Sequence, residues 1–151
     1  MFEILTTVAA QWLVALATLL NAPAPVPTPP SSLARNLRAF FHADPEPWRV
    51  RAIEDAAREH GVDAPSLAAL CALESGVGLN PRGRVIWCGA MRAAPDRQPF
   101  AAARALRQWR GRCRHPLRAI VAWRWGNGCR AADPTRYAVR ATRLAARFAL
   151  P

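Results

Sequence analysis

From Asp44 onward a glycine or proline stop interrupts the chain roughly every ten to fifteen residues, and this punctuation restricts the fold to short helices. Asp44-Pro45 opens a first helix that Gly61 ends after His60. Asp63 can cap a second, with Pro65 in its first turn and Gly76 as its stop. Residues 77–98 are too rich in glycine and proline for a helix, and only Arg84 to Met91 could make a small β-hairpin. Phe100 to Arg110 reads as a third helix ended by Gly111, and Pro116 to Trp125 as a fourth stopped by Gly126 and Gly128. Asp133-Pro134 opens the last, which runs to about Leu150. The expected class is mainly α with a small β-hairpin, in one domain spanning 44–151.

Two segments precede that domain. Within residues 1–21, Ile4 to Leu20 is an uncharged apolar stretch, expected to be an N-terminal helix. Its length lies at the short edge of a membrane-spanning helix and above a usual signal core. No Arg or Lys precedes it, and prolines follow both alanines of Ala22-Pro23-Ala24, so an uncleaved membrane anchor through residues 4–20 is favoured over a cleaved signal. Residues 22–43 begin as a proline-alternating linker, extended at about 3.1 Å per residue. They end in a short basic segment, where Leu33 to Phe41 could form a helix with Leu33, Leu37, Phe40 and Phe41 on one side.

Charge and cysteine content narrow the setting. All 21 basic side chains are arginine, and against ten acids they leave a net charge of +11. Residues 1–34 carry −1, residues 35–100 carry +1 and residues 101–151 carry +11, so the excess lies in the last third. A partner rich in negative charge fits this: envelope polymer, membrane surface or nucleic acid. Cys71, Cys88, Cys113 and Cys129 contain no C-x-x-C pair, and His115 stands too close to Cys113 for a usual zinc spacing. Two disulfides, with any of three connectivities, are the better reading and require an oxidising compartment.

The second helix holds the most informative side chain. At about 100° per residue, Glu74 falls within about 20° of Leu67, between Leu70 and Cys71 on an apolar stripe. A carboxylate there is costly to desolvate, and in the last turn it faces the negative end of the helix dipole. Both effects favour the protonated form, the state a general acid requires. In the fourth helix Arg124 falls on the same side as Leu117, Ile120 and Val121, so it is expected to face inward and to need an anion: Glu74, another acid or a substrate. Four arginines of the last helix, Arg136, Arg140, Arg143 and Arg147, recur on one face.

At these residues the chain resembles a known family. Ile53 to Asp63 followed by Leu67-Ala68-Ala69-Leu70-Cys71-Ala72-Leu73-Glu74-Ser75-Gly76 is similar to the catalytic start of the soluble lytic transglycosylases, which are goose-lysozyme-like. Gly89-Ala90-Met91-Arg92 resembles their Gly-Leu-Met-Gln segment, and Ala122-Trp123-Arg124-Trp125-Gly126-Asn127-Gly128 their Ala-Tyr-Asn-Ala-Gly-Pro-Gly turn. Arg136-Tyr137-Ala138-Val139-Arg140 resembles their closing Tyr-Val motif. The four motifs stand in the family's order over about residues 46–145.

The resemblance implies a lysozyme-like helical domain that cuts peptidoglycan glycan strands in the bacterial envelope, periplasmic or extracellular, without cofactor or metal. Glu74 would be the single acid/base, Tyr137 would lie beside it, and Ser75, Met91, Arg92, Trp123 and Arg124 would contact substrate. Arg92 replaces the family's Gln, Trp123 its Tyr and Arg124 its Asn. For Arg124, substrate contact is favoured over pairing with Glu74. Two alternatives stand behind this reading: a catalytically degenerate module that binds murein without cutting, and, least favoured, a basic helical nucleic-acid binder.

Overall fold

The computed structural model describes residues 29–80, 86–89, 92–126, 129 and 136–151, and among them it is mainly helical. The described helices are α1 (Ser32–Phe41), α2 (Pro47–His60), α3 (Ala64–Ser75), α4 (Gln98–Arg112), α5 (Pro116–Trp125) and α6 (Arg136–Phe148), with a 3-10 turn at Pro95–Arg97 before α4. Among the described residues no helix is long and apolar enough to cross a membrane. The segment 4–20, read from sequence as an anchor, lies outside the described residues, as do residues 22–28 of the linker.

The stops act where the punctuation placed them. Gly61, Gly76 and Gly126 cap the C-termini of α2, α3 and α5 in the left-handed conformation. Asp63 caps α3, its carboxylate accepting from Ser66 N at 2.8 Å and pairing with Arg110 Nη2 at 3.0 Å. Partial burial pushes that carboxyl up, but the hydrogen bonds from Ser66 and Arg110 outweigh it and hold it below its ordinary value. Three boundaries differ from expectation, the first being that α4 already starts at Gln98 rather than at Phe100. Helix α4 runs through Gly111 to Arg112, because Cys113 continues the last turn, its N–H donating to Trp109 O at 2.7 Å. Helix α2 starts at Pro47 rather than at Asp44, whose carboxylate instead pairs with Arg38 at 2.9 Å.

The core centres on α3. Leu67, Ala68, Ala69, Leu70 and Cys71 are all essentially inaccessible, so this helix is enclosed on every side rather than along one stripe. It packs most broadly on α6, while α2 packs on α4 and α4 on α5. Helix α1 belongs to the same core: Leu33 and Leu37 are buried in it, and Asn36 Nδ2 donates to Phe148 O and Leu150 O at 3.0 and 2.8 Å, closing the end of α6.

The connection from α3 to α4 contains no strand among the described residues. Part of the expected hairpin, at positions 84, 85, 90 and 91, lies outside them, and Ile86 to Gly89 runs as irregular chain. The reason is Gln98, buried at the start of α4: its Oε1 accepts from both Trp87 N (2.7 Å) and Cys88 N (3.2 Å), taking donors that a ladder would need. The disulfides pair Cys71 with Cys88 and Cys113 with Cys129. The first fastens this segment to α3; the second joins the end of α4 to the chain beyond α5. Formed disulfides are the chemistry of an oxidising compartment.

The turn after α3 is held from α2. Arg49, 6% exposed, donates through Nη1 to Val77 O at 3.1 Å, and its guanidinium lies 5.1 and 5.3 Å from the rings of Trp48 and Trp87. Its Nε is 2.7 Å from Glu46 Oε2, an ion pair outside hydrogen-bond geometry. Gly78 makes room for it: with φ at +79°, a Cβ there would fall on the guanidinium.

Two outcomes follow for stability. Gly78→Ala should cost at least about 2 kcal/mol in denaturant unfolding, since it adds a collision to a strained backbone. Gly61→Ala, at a similar φ but with nothing within 4 Å, should cost only about 1 kcal/mol; equal costs would refute the clamp. For the cysteines, native protein should show no titratable thiol, and reducing each bridge should remove about 3 kcal/mol. Free thiols in the native protein would contradict the pairing.

Candidate functional site

Enclosing α3 leaves its last turn as the place where a polar side chain can reach an opening. Glu74 emerges there, its side chain 16% exposed. From α6, Tyr137 Oη donates to Glu74 Oε1 at 2.8 Å. From the last turn of α5, Arg124 Nε lies 3.3 Å from the same oxygen. Three helices distant in sequence therefore meet on one carboxylate oxygen. Beside it is a cleft of about 210 Å³ lined by Glu74, Gly89, Ala101, Ala102, Ala105, Trp123 and Arg124.

The walls explain the cleft's shape. Three alanines of α4 keep one side low. Trp123 anchors the other, its Nε1 donating to Ala102 O at 3.1 Å, so the indole serves α4–α5 packing while its ring edge faces the opening. Gly89, with φ at +73°, lets the chain pass close: a Cβ there would come within 2.9 Å of Trp123 and 3.4 Å of Glu74. Trp125, 51% exposed, stands edge-on to Tyr137 at 5.6 Å.

Of the residues singled out from sequence, Glu74, Tyr137, Trp123 and Arg124 come together. Ser75 does not join them. It is buried, its hydroxyl lies 2.6 Å from Trp87 O and accepts from Gly78 N at 2.9 Å, so it ties the turn after α3 and is not placed to touch a substrate. Arg92 is exposed and does not line the cleft, and Met91 lies outside the described residues. Arg124 also departs from expectation. Its side chain is 45% exposed rather than inward, because it leaves the final turn of α5 at the cleft's rim. It pairs with Glu74, the alternative that sequence reasoning ranked second. Gly89 and the α4 alanines were missed as site residues; the glycine stood in a matched motif, but alanines carry no chemical signal.

Comparison of the chain with protein-family models, curated proteins and solved structures finds no match.

Electrostatics define what the assembled groups can do. Tyr137 donates to Oε1 and Arg124 ion-pairs with the same oxygen, so a proton on Glu74 belongs on the other carboxylate oxygen. Burial, the Glu74 charge and the hydrogen bond to Glu74 hold the Tyr137 phenol far above its ordinary value, against a smaller opposing pull from Arg124. Tyr137 is thus a permanent neutral donor. Among the described residues no three His, Cys, Asp or Glu side chains gather as a metal site.

Tyr137 is the only tyrosine in the chain, so alkaline absorbance titration reads it alone. Native protein should show no tyrosinate around pH 10, where an unfolded tyrosine is half ionised. Because the folded value is the raised one, the stabilisation is complete below about pH 10 and declines as pH rises beyond it. Glu74→Gln should lower the native onset; a native titration centred at the ordinary value would refute the contact.

Proposed function

We propose that the chain is a lysozyme-like lytic transglycosylase of the bacterial envelope that cuts peptidoglycan glycan strands, with Glu74 as its single acid/base. The observation that carries this reading is the 2.8 Å bond from Tyr137 to Glu74, which brings together the first and last of the four motifs across 63 residues of sequence. The disulfides agree with a periplasmic or extracellular setting, with residues 4–20 as anchor.

The chemistry needs one carboxyl group in two states. Protonated Glu74 donates to the oxygen joining N-acetylmuramic acid to N-acetylglucosamine, and the C1–O bond breaks as the leaving sugar takes the proton as its 4-hydroxyl. Positive charge develops at C1, relieved by the sugar's own acetamido oxygen. Glu74, now a carboxylate, takes the proton of the C6 hydroxyl, and O6 bonds to C1 to close a 1,6-anhydro ring. The glutamic acid is regenerated and no water is consumed, so no second protein carboxylate is required, unlike the usual paired arrangement. Tyr137 holds the carboxyl group in place through both half-reactions. Trp125, half exposed beside Tyr137, offers ring surface for a sugar.

Arg124 favours a second reading, a module that binds murein without cutting, because its guanidinium, 3.3 Å from Glu74 Oε1, occupies the carboxyl group that the first step uses. The two separate by experiment. Glu74→Gln should abolish clearing in a murein zymogram and formation of anhydro ends; undiminished clearing removes Glu74 from catalysis. Arg124→Ala should raise turnover near neutrality about 2- to 5-fold, the worth of a half-exposed ion pair. A fall of more than about tenfold would instead make Arg124 a substrate contact, and absence of cleavage by both proteins would favour the binding module.

A further inference from the structure

The second recess worth an occupant lies beyond the cleft. A groove of about 700 Å³ runs between α1, α3 and α6, with Phe40, Phe41 and Leu144 on its floor and Arg140, Arg143 and Arg147 along its rim. It is built on two of the helices that form the site: Leu73, which lines it, precedes Glu74 on α3, and Arg140 follows Tyr137 by about one turn on α6.

Among the described residues the rim is uncompensated. The ion pairs formed by Arg38, Arg49, Arg58, Arg110 and Arg124 use acids of α1 to α3 and the adjoining loops, and none involves an arginine of α6. Arg147 lies 5.6 Å over the Phe40 ring, which places a guanidinium directly above the apolar floor. Three cations over a hydrophobic trough match a ligand with several carboxylates and small apolar groups between them. A lipid surface fits less well, because the apolar side chains are recessed: the exposed large hydrophobics are Ile86, Trp125 and Leu150, none of them in the groove. Stacked bases fit less well too, since the Phe40 ring is engaged edge-on with Phe41 and Phe148 at 4.9 and 5.5 Å.

We infer that this groove binds an acidic peptide, and, resting on the function proposed above, that the peptide is the carboxylate-bearing stem carried by the muramic acid of a strand lying over Glu74. The floor receives alanine methyl groups and the three guanidinium groups pair with the stem's carboxylates. The enzyme then prefers glycan that still bears its peptides.

The test uses Glu74→Gln protein, which binds without cutting, on intact sacculi and on sacculi stripped of peptide by an amidase. Binding to intact sacculi should be about tenfold tighter, and a free acidic stem tetrapeptide should compete it away. Adding Arg140→Gln, Arg143→Gln and Arg147→Gln should abolish the difference. Arg104→Gln, Arg107→Gln and Arg118→Gln, an equal charge change at exposed positions outside the groove, should preserve it. Equal binding to stripped glycan, equal loss in both triple variants, or tighter binding to phosphatidylglycerol vesicles or to duplex DNA than to the tetrapeptide would overturn the inference. Clearing of murein by Glu74→Gln would defeat the catalytic proposal, while tetrapeptide binding still reads the groove by itself.

Discussion

Everything at the cleft depends on how the chain leaves α3, and that exit is held by a buried arginine from another helix. Arg49 reaches from α2 between Trp48 and Trp87 and takes the Val77 carbonyl. Gly76, Val77 and Gly78 all adopt left-handed backbone, and Val77 is a β-branched residue at φ +57°. Such a residue persists there only when its surroundings over-determine it. Arg49 supplies one constraint, Ser75 another by binding both Trp87 O and Gly78 N, and the Cys71–Cys88 bridge a third. The last turn of α3 is therefore rigid, and Glu74 with it.

Rigidity alone would not make a site. Helix α3 is enclosed by neighbours from Leu67 to Cys71, so a carboxylate one turn earlier than Glu74 would be buried without a partner at severe cost. In the final turn Glu74 has an opening on one side and the Tyr137 hydroxyl on the other. That hydroxyl stays neutral because burial and the carboxylate both oppose its ionisation. A neutral donor positions the carboxyl group in either protonation state, which a cation does not. Arg124 thus differs from Tyr137 in kind: it carries a fixed charge, and its half-exposed position leaves it free to move toward solvent or an anionic ligand.

What could be read in the sequence follows from how local each determinant is. Helix ends rest on glycine, proline and capping residues within a few positions, so Asp63, Gly76 and Gly126 were legible. The meeting of Glu74 with Tyr137 was legible only through motif order, because no periodicity relates α3 to α6. Gln98 was not legible: a glutamine at a helix start looks solvent-exposed until its side chain is seen to replace a strand as partner of Trp87 and Cys88. Gly111 misled because a glycine weakens a helix without ending it when the next residue is tied elsewhere. For Arg124, wheel geometry gave the direction of the Cα–Cβ bond, yet a long side chain in a last turn can bend to the rim. Ser75 shows the reverse. Its place next to Glu74 in a motif suggested ligand contact, while a helix turns about 100° per residue and carries it into the core.

The charge excess of the last third divides along the same lines once the contacts are known. Arg110 is spent on the cap of α3 and Arg124 on Glu74, both internal duties that neutralise an acid of the same chain. Among the described residues the arginines of α6 have no such duty. Helix α6 is also the one that delivers Tyr137, so its buried face positions the catalytic candidate while its exposed face remains cationic along its length. A helix without an acid partner repels itself slightly and gains nothing in stability from that charge. The same helix borders the apolar groove, so on the function proposed here one element would couple where a polymer is held to where it is cut.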